Sequence, residues 1–209
     1  MKSLQIQKLV LSAYTEQTLQ EAFLALECHQ IDQVSWAEQF PYKPEVQFQI
    51  AYTSTHLLLH YKVQEEYVKA QYVRANENVW EDSCVEFFVS FDDKKTYYNI
   101  EFNVMGTGLI GYGPAVKTER NRLSAEQIDS VDAFVKLQKI NGAKTWSSIL
   151  AIPREIFGDI AFQGQTFHAN FYKCGDGLPQ PHFISWNKID FPTPNFHQPD
   201  FFGEIHFRD

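Results

Sequence analysis

The stretch Cys84-Val85-Glu86-Phe87-Phe88-Val89-Ser90-Phe91-Asp92-Asp93-Lys94-Lys95-Thr96-Tyr97-Tyr98-Asn99-Ile100-Glu101-Phe102-Asn103-Val104 holds two alternating runs around a polar break. Side chains two apart share a face of a strand. Val85, Phe87, Val89 and Phe91 therefore face a core, with Cys84, Glu86, Phe88 and Ser90 on the other side. In the second run Tyr98, Ile100, Phe102 and Val104 are the apolar set, and Tyr97, Asn99, Glu101 and Asn103 oppose them. Pairing through the Asp92–Lys95 turn would gather Glu86, Asn99, Glu101 and Asn103 on one face beside aromatic rings. The plain alternative is a solvated outer face, common in antiparallel sheets.

The same period of two recurs on both sides. Val46, Phe48, Ile50 and Tyr52 alternate with polar or small neighbours, and a break at Thr53-Ser54-Thr55-His56 leads into a run through Tyr61 and Val63, which reads as a hairpin. Further runs lie near Trp146–Ile152, Phe167–Cys174 and His182–Trp186. Turn residues punctuate them at Gly106-Thr107-Gly108, Asn141-Gly142 and Cys174-Gly175-Asp176-Gly177. We expect a mainly β, antiparallel sandwich of immunoglobulin-like or jelly-roll character. Leu19, Ala22, Phe23 and Leu26 have helical spacing, which predicts a short N-terminal helix. Residues 1–43 read as an extension carrying that helix and packed on a domain of residues 44–209. Glu119–Ile128 reads as a polar excursion, Pro153–Gly158 as a helical turn, and Phe191–Gly203, with three prolines, as an extended strap.

The chain has 209 residues, a formal charge of −8 and 44% hydrophobic residues, enough for a core without metal or disulfide. Its densest basic stretch, Lys117–Arg122, is interrupted by acid, which argues against nucleic acid as a partner. No apolar run approaches the roughly 20 residues of a membrane helix. Gln5, Gln7 and Lys8 interrupt the first apolar stretch before it forms a signal-peptide core, so the start reads as that of a cytoplasmic protein, or of a secreted or periplasmic one whose leader has been trimmed. Cys28, Cys84 and Cys174 are widely spaced and read as buried free thiols.

A face mixing carboxylates and amides with aromatics suits a sugar, whose hydroxyls fork onto polar groups while its C–H face stacks on a ring. The segment Trp80-Glu81-Asp82-Ser83-Cys84-Val85-Glu86 resembles the family 9 carbohydrate-binding modules. In these, a tryptophan before an Asp-Ser-x-x-Glu strand opens the ligand site. Tyr97–Asn103 with Gly106, Asn170–Asp176, Ser185-Trp186 and Phe196–Gly203 agree in order, so the likeness runs from about Pro44 to Phe207.

The resemblance implies a non-catalytic domain that grips a saccharide chain end between two tryptophans, matched here by Trp80 and Trp186, with Glu86 reading hydroxyls. Asn103 and Asn170 are the amide candidates. The family's basic residue has no matched motif, and Arg74, Arg120 and Arg122 stay open. Trp36 and Trp146 are assigned to the core. Asp92 and Asp93 lie in a turn where the family can hold calcium, although they supply only two of the six to eight oxygens needed. No other cofactor is expected. Two alternatives remain: a glycoside hydrolase using Glu86 and Glu101 as paired carboxylates, and an interaction sandwich that has lost sugar binding.

Overall fold

Asp92 makes the central hairpin turn. Its carboxylate accepts from Ser90 Oγ at 3.0 Å, Thr96 N at 2.9 Å and Thr96 Oγ1 at 2.7 Å, while Asp93 and Lys94 adopt left-handed φ of 58° and 69°. The strands on either side, β5 (Cys84–Ser90) and β6 (Tyr97–Asn103), pair antiparallel with Glu86 opposite Glu101. A computed structural model describes residues 1–208 and has thirteen strands among them. The others are β1 (Ser3–Lys8), β2 (His29–Gln30), β3 (Glu45–Tyr52), β4 (His56–Gln64), β7 (Gly108–Gly113), β8 (Asn121–Arg122), β9 (Asp132–Ile140), β10 (Ala143–Pro153), β11 (Thr166–Cys174), β12 (Phe183–Ser185) and β13 (Gly203–Phe207). Two short helices, α1 (Glu16–Phe23) and α2 (Ala125–Asp129), complete the regular structure.

The strands lie side by side in the order β8-β7-β6-β5-β11-β13-β1-β3-β4-β10-β9. The sheet curls so that its two halves enclose one core, as in a sandwich or half-barrel. Phe48 of β3 stacks on Phe171 of β11 with ring centroids 3.9 Å apart. The core-facing parity holds, since Val85, Phe87 and Val89 are all buried in this cluster. Two expectations need correcting. The sheet is mostly, not wholly, antiparallel: β1 runs parallel to both β13 and β3 and joins the two halves. Strand β1 itself was not foreseen, because its Leu4-Gln5-Ile6-Gln7 alternation is too short to stand out from the polar N-terminus.

Helix α1 forms where the spacing predicts. Thr15 Oγ1 caps it by accepting from Thr18 N at 3.3 Å, and its buried Leu19 and Phe23 cover Ala51, Leu58, Ile149 and Ala151 on the outside of β3, β4 and β10. Asn141 and Gly142, with φ of 50° and 86°, supply the positive φ that a tight β9–β10 hairpin needs.

The other face of β5 and β6 is not solvated. Tyr97 and Phe88 are buried there with Trp36, Tyr172, Phe196 and Phe202, under the strap that precedes β13. Cys84 and Cys174 are buried as expected, but Cys28 is exposed because it lies in the connection after α1 rather than on a core-facing strand. Among the described residues, no helix is long and apolar enough to cross a membrane.

Candidate functional site

The cover over β5 and β6 is incomplete, and a cavity of about 390 Å³ opens between strap and sheet. Its lining includes Trp80, Glu86, Asn99, Glu101, Arg120 and Arg122. Strand register explains the acidic part. Glu86 and Glu101 are cross-strand partners, and both are buried on the side away from the main core. Asn99 shares their face by parity and donates from Nδ2 to Glu101 Oε1 at 2.8 Å. Gly111 of β7 is directly opposite Asn99, and a Cβ there would fall 2.5 Å from Asn99 Oδ1, so only glycine leaves that amide its place.

Burial and mutual repulsion govern the two carboxyls. Burial, reinforced by the charge of Glu101, holds the Glu86 carboxyl well above the ordinary range. Glu101 is pushed up to about 7 by burial, despite the Asn99 hydrogen bond and the nearby Arg122. Two such groups in direct opposition retain a proton between them near neutral pH. Cys174 Sγ donates to Glu86 Oε1 at 2.9 Å. Asp176, at the rim, is raised to about 6 by desolvation and the charge of Glu81.

Trp80 sits in a 3₁₀ turn, Val79–Glu81, at the end of a long loop. Asp82 anchors that loop: its carboxylate accepts from Gln71 N at 2.9 Å, Tyr72 N at 3.0 Å and Asn103 Nδ2 at 2.9 Å. Asp176 N then donates to Trp80 O at 3.1 Å. The indole is half-buried and lines the cavity, with the Arg122 guanidinium 5.9 Å from its ring centre.

The polar excursion after β7 delivers the basic groups. Arg120 lies 3.9 Å over the Tyr97 ring and donates to Gly113 O at 2.7 Å, Pro114 O at 2.8 Å and Tyr97 O at 3.0 Å, as well as to Asn99 Oδ1. The guanidinium is thereby fixed against the cavity wall. Of the three open arginines, Arg120 and Arg122 line the cavity and Arg74 does not.

The remaining expected residues part company with the cavity. Trp186 is 2% exposed and packs edge-on against Phe48 and Phe171 in the main core. Among the described residues no pair of opposed indoles forms, because Trp186 N is bonded to Phe171 O and its ring follows the inward side of β11. Asn103 holds the Trp80 loop through Asp82 and Tyr72 O. Asn170 clamps Asn187 through both its side-chain atoms, at 2.9 and 3.1 Å. Both amides are buried structural groups outside the cavity lining.

Asp92 already receives three protein donors, which is the opposite of the oxygen-only shell calcium requires, and Asp93 is exposed, so the pair does not fit that ion. Cys84, Glu86 and Cys174 place ligand atoms within 4.8 Å of one another. Burial pushes the Cys84 thiol up to about 12 and holds the Cys174 thiol well above its ordinary value, so both are protonated, and their proximity does not amount to a metal site.

Several lining residues escaped the sequence reading. Phe183 and Phe196 bring aromatic surface into the cavity, and His197, held neutral by burial at about 3, bonds Tyr97 Oη through Nδ1 at 2.8 Å. The strap of prolines and aromatics was the available signal, but its side of the sheet was not.

The sequence profile of carbohydrate-binding family 9 matches residues 15–207. A solved structure from Bacteroides uniformis ATCC 8492, of a protein to which carbohydrate binding is attributed, is 39% identical, covers 99% of each chain and superposes with a TM-score of 0.90. A family 9 module from Caldicellulosiruptor kristjanssonii, solved with glucose, is 13% identical over 99% of this chain and 95% of its own, with a TM-score of 0.63. A structure of such a module from the same organism with cellotriose gives 14% identity, 99% and 94% coverage, and 0.65. At these identities the Caldicellulosiruptor comparisons show a shared fold. No curated protein matches in sequence. With a family match spanning nearly the whole chain and a close structural relative at 39% identity, the chain belongs to carbohydrate-binding family 9.

Proposed function

We propose that the cavity binds one sugar unit of a saccharide, without chemistry. The observation that carries this reading is the joining of a half-buried indole, Trp80, to a floor of paired carboxyls, Glu86 and Glu101, in a cavity of about 390 Å³. That volume falls in the range of roughly 300–1,000 Å³ typical of small-molecule sites. Trp80 offers a ring face for sugar C–H groups, and Phe183 with Phe196 takes the apolar role first assigned to Trp186. Glu86 and Glu101, with one proton between them, both donate to and accept from hydroxyls, and Arg122, whose guanidinium also lines the cavity, supplies a charged donor, while Arg120 spends its terminal N–H groups on the cavity wall.

Hydrolysis fits this arrangement poorly. Glycosidase carboxyls flank the scissile bond from two sides, about 5 to 9.5 Å apart. Glu86 and Glu101 instead stand side by side on one sheet face, as direct cross-strand partners. The test is isothermal titration of mono- and disaccharides against the parent and Trp80→Ala. Saturable heat that weakens in the variant supports the site. Binding untouched by the substitution removes Trp80, and no heat with any sugar overturns the reading.

A further inference from the structure

A second groove, of about 690 Å³, lies on the outer face of the other sheet half. Helix α1 covers only the apolar part of that face, at Ala51, Leu58, Ile149 and Ala151. Beyond it two cross-strand rows are bare. One is Gln47, Lys62, Ser147 and Lys136, and the next is Glu45, Gln64, Thr145 and Gln138, each running in register across β3, β4, β10 and β9. These eight residues form the groove floor, and Gln20 of α1 lines it as well.

Two independent observations point to a ligand. First, His60 lines the groove beside the helix, is only 8% exposed, and leaves Nδ1 without a hydrogen-bond partner. An orphaned buried polar atom is costly unless something meets it. Second, on a chain of charge −8, this floor carries Lys62 and Lys136 against the single acid Glu45. Among the described residues no carboxylate lies within ion-pair distance of either lysine. Both lysines flank Ser147, so their backbones are about 10 Å apart at two strand spacings.

We propose that this groove is a second binding site, for an oligosaccharide bearing carboxylate or sulfate groups. The two ammonium groups pair its anions, and the amides of Gln47, Gln64 and Gln138 fork onto its hydroxyls. A neutral saccharide is disfavoured, because the two aromatic rings among the groove's described residues, Trp146 and His60, are 2% and 8% exposed and offer no stacking face.

The experiment titrates an oligogalacturonide, a sulfated oligosaccharide, a neutral oligosaccharide of equal length and a polyglutamate peptide against the parent, Lys62→Gln/Lys136→Gln and Trp80→Ala. The expected result is saturable binding of at least one anionic saccharide, weakened tenfold or more in the lysine variant and unchanged in Trp80→Ala. Raising the salt should weaken it further. The two anionic arms identify which charged group is preferred. Three outcomes overturn the proposal: no binding of either anionic saccharide, equal binding by the lysine variant, or equal binding of the peptide. Because both lysines are exposed, the variant keeps its melting temperature, and loss of sugar binding at Trp80 leaves this result unaffected.

Discussion

Glu86 and Glu101 face each other directly across β5 and β6, and both reach the cavity from its buried side. The pair makes stability depend on pH. Glu101 ionises near 7 when folded, against 4.5 for the free side chain, so the folded chain holds a proton that the unfolded chain gives up. Stability is full below the unfolded value, falls as pH rises between the two, and levels off above the folded value. Glu101→Gln keeps an acceptor for Asn99 and removes the charge. Chemical denaturation at pH 8 should find the variant more stable by on the order of 2 kcal/mol, with the gap closing near pH 4. A gap independent of pH would refute the shared-proton account.

Trp80 and Trp186 should separate cleanly. Trp80→Ala removes a half-buried ring, so sugar affinity should drop at least about fivefold with little change in melting temperature. Trp186→Ala opens a hole beside the stacked rings of Phe48 and Phe171 and should cost about 3–5 kcal/mol of stability. Calorimetry and thermal unfolding on both variants decide; equal behaviour would contradict the placement of Trp186.

Asn170→Ala strands both backbone groups of Asn187 in a buried position. A loss on the order of 3 kcal/mol is expected by urea titration, while the affinity of the remaining folded protein stays at the parent value. A selective loss of affinity would instead place Asn170 in the site.

Lys173 and Glu65 form a fully buried ion pair at 2.9 Å, with Lys173 also donating to His182 Nε2 at 2.8 Å and Glu65 accepting from Trp146 Nε1 at 2.7 Å. Lys173→Met should cost about 3–5 kcal/mol, because the Glu65 charge is left alone in the interior. Adding Glu65→Gln should recover a large part of that. Additive losses in the double variant would show that the two charges act separately.

Local pattern was enough for the strands. The period of two at β5, β6, β3 and β4 settles which residues point inward, since alternation is a property of the backbone alone. The motif around Trp80 and Glu86 was equally legible, because an indole and a carboxylate at fixed spacing sit at a loop and on the following strand. Trp186 was not. Its neighbour Ser185 lies on the opposite face, and nothing in the local sequence says which face of β11 the adjoining turn will follow.

The sequence by itself thus determined the β architecture, the polar face of the central hairpin, and one wall of the cavity. Only the tertiary structure decided that this polar face is roofed rather than wet. The roof comes from residues near Trp36, 48 positions before β5 begins, and from the strap at 191–203, which starts 88 positions after β6 ends. The parallel insertion of β1 was likewise settled at long range, by β13 at the far end of the chain and by β3, 44 positions on. Periodicity fixes orientation within a strand, but burial and pKa depend on what comes to lie above it, which chain connectivity and packing alone select.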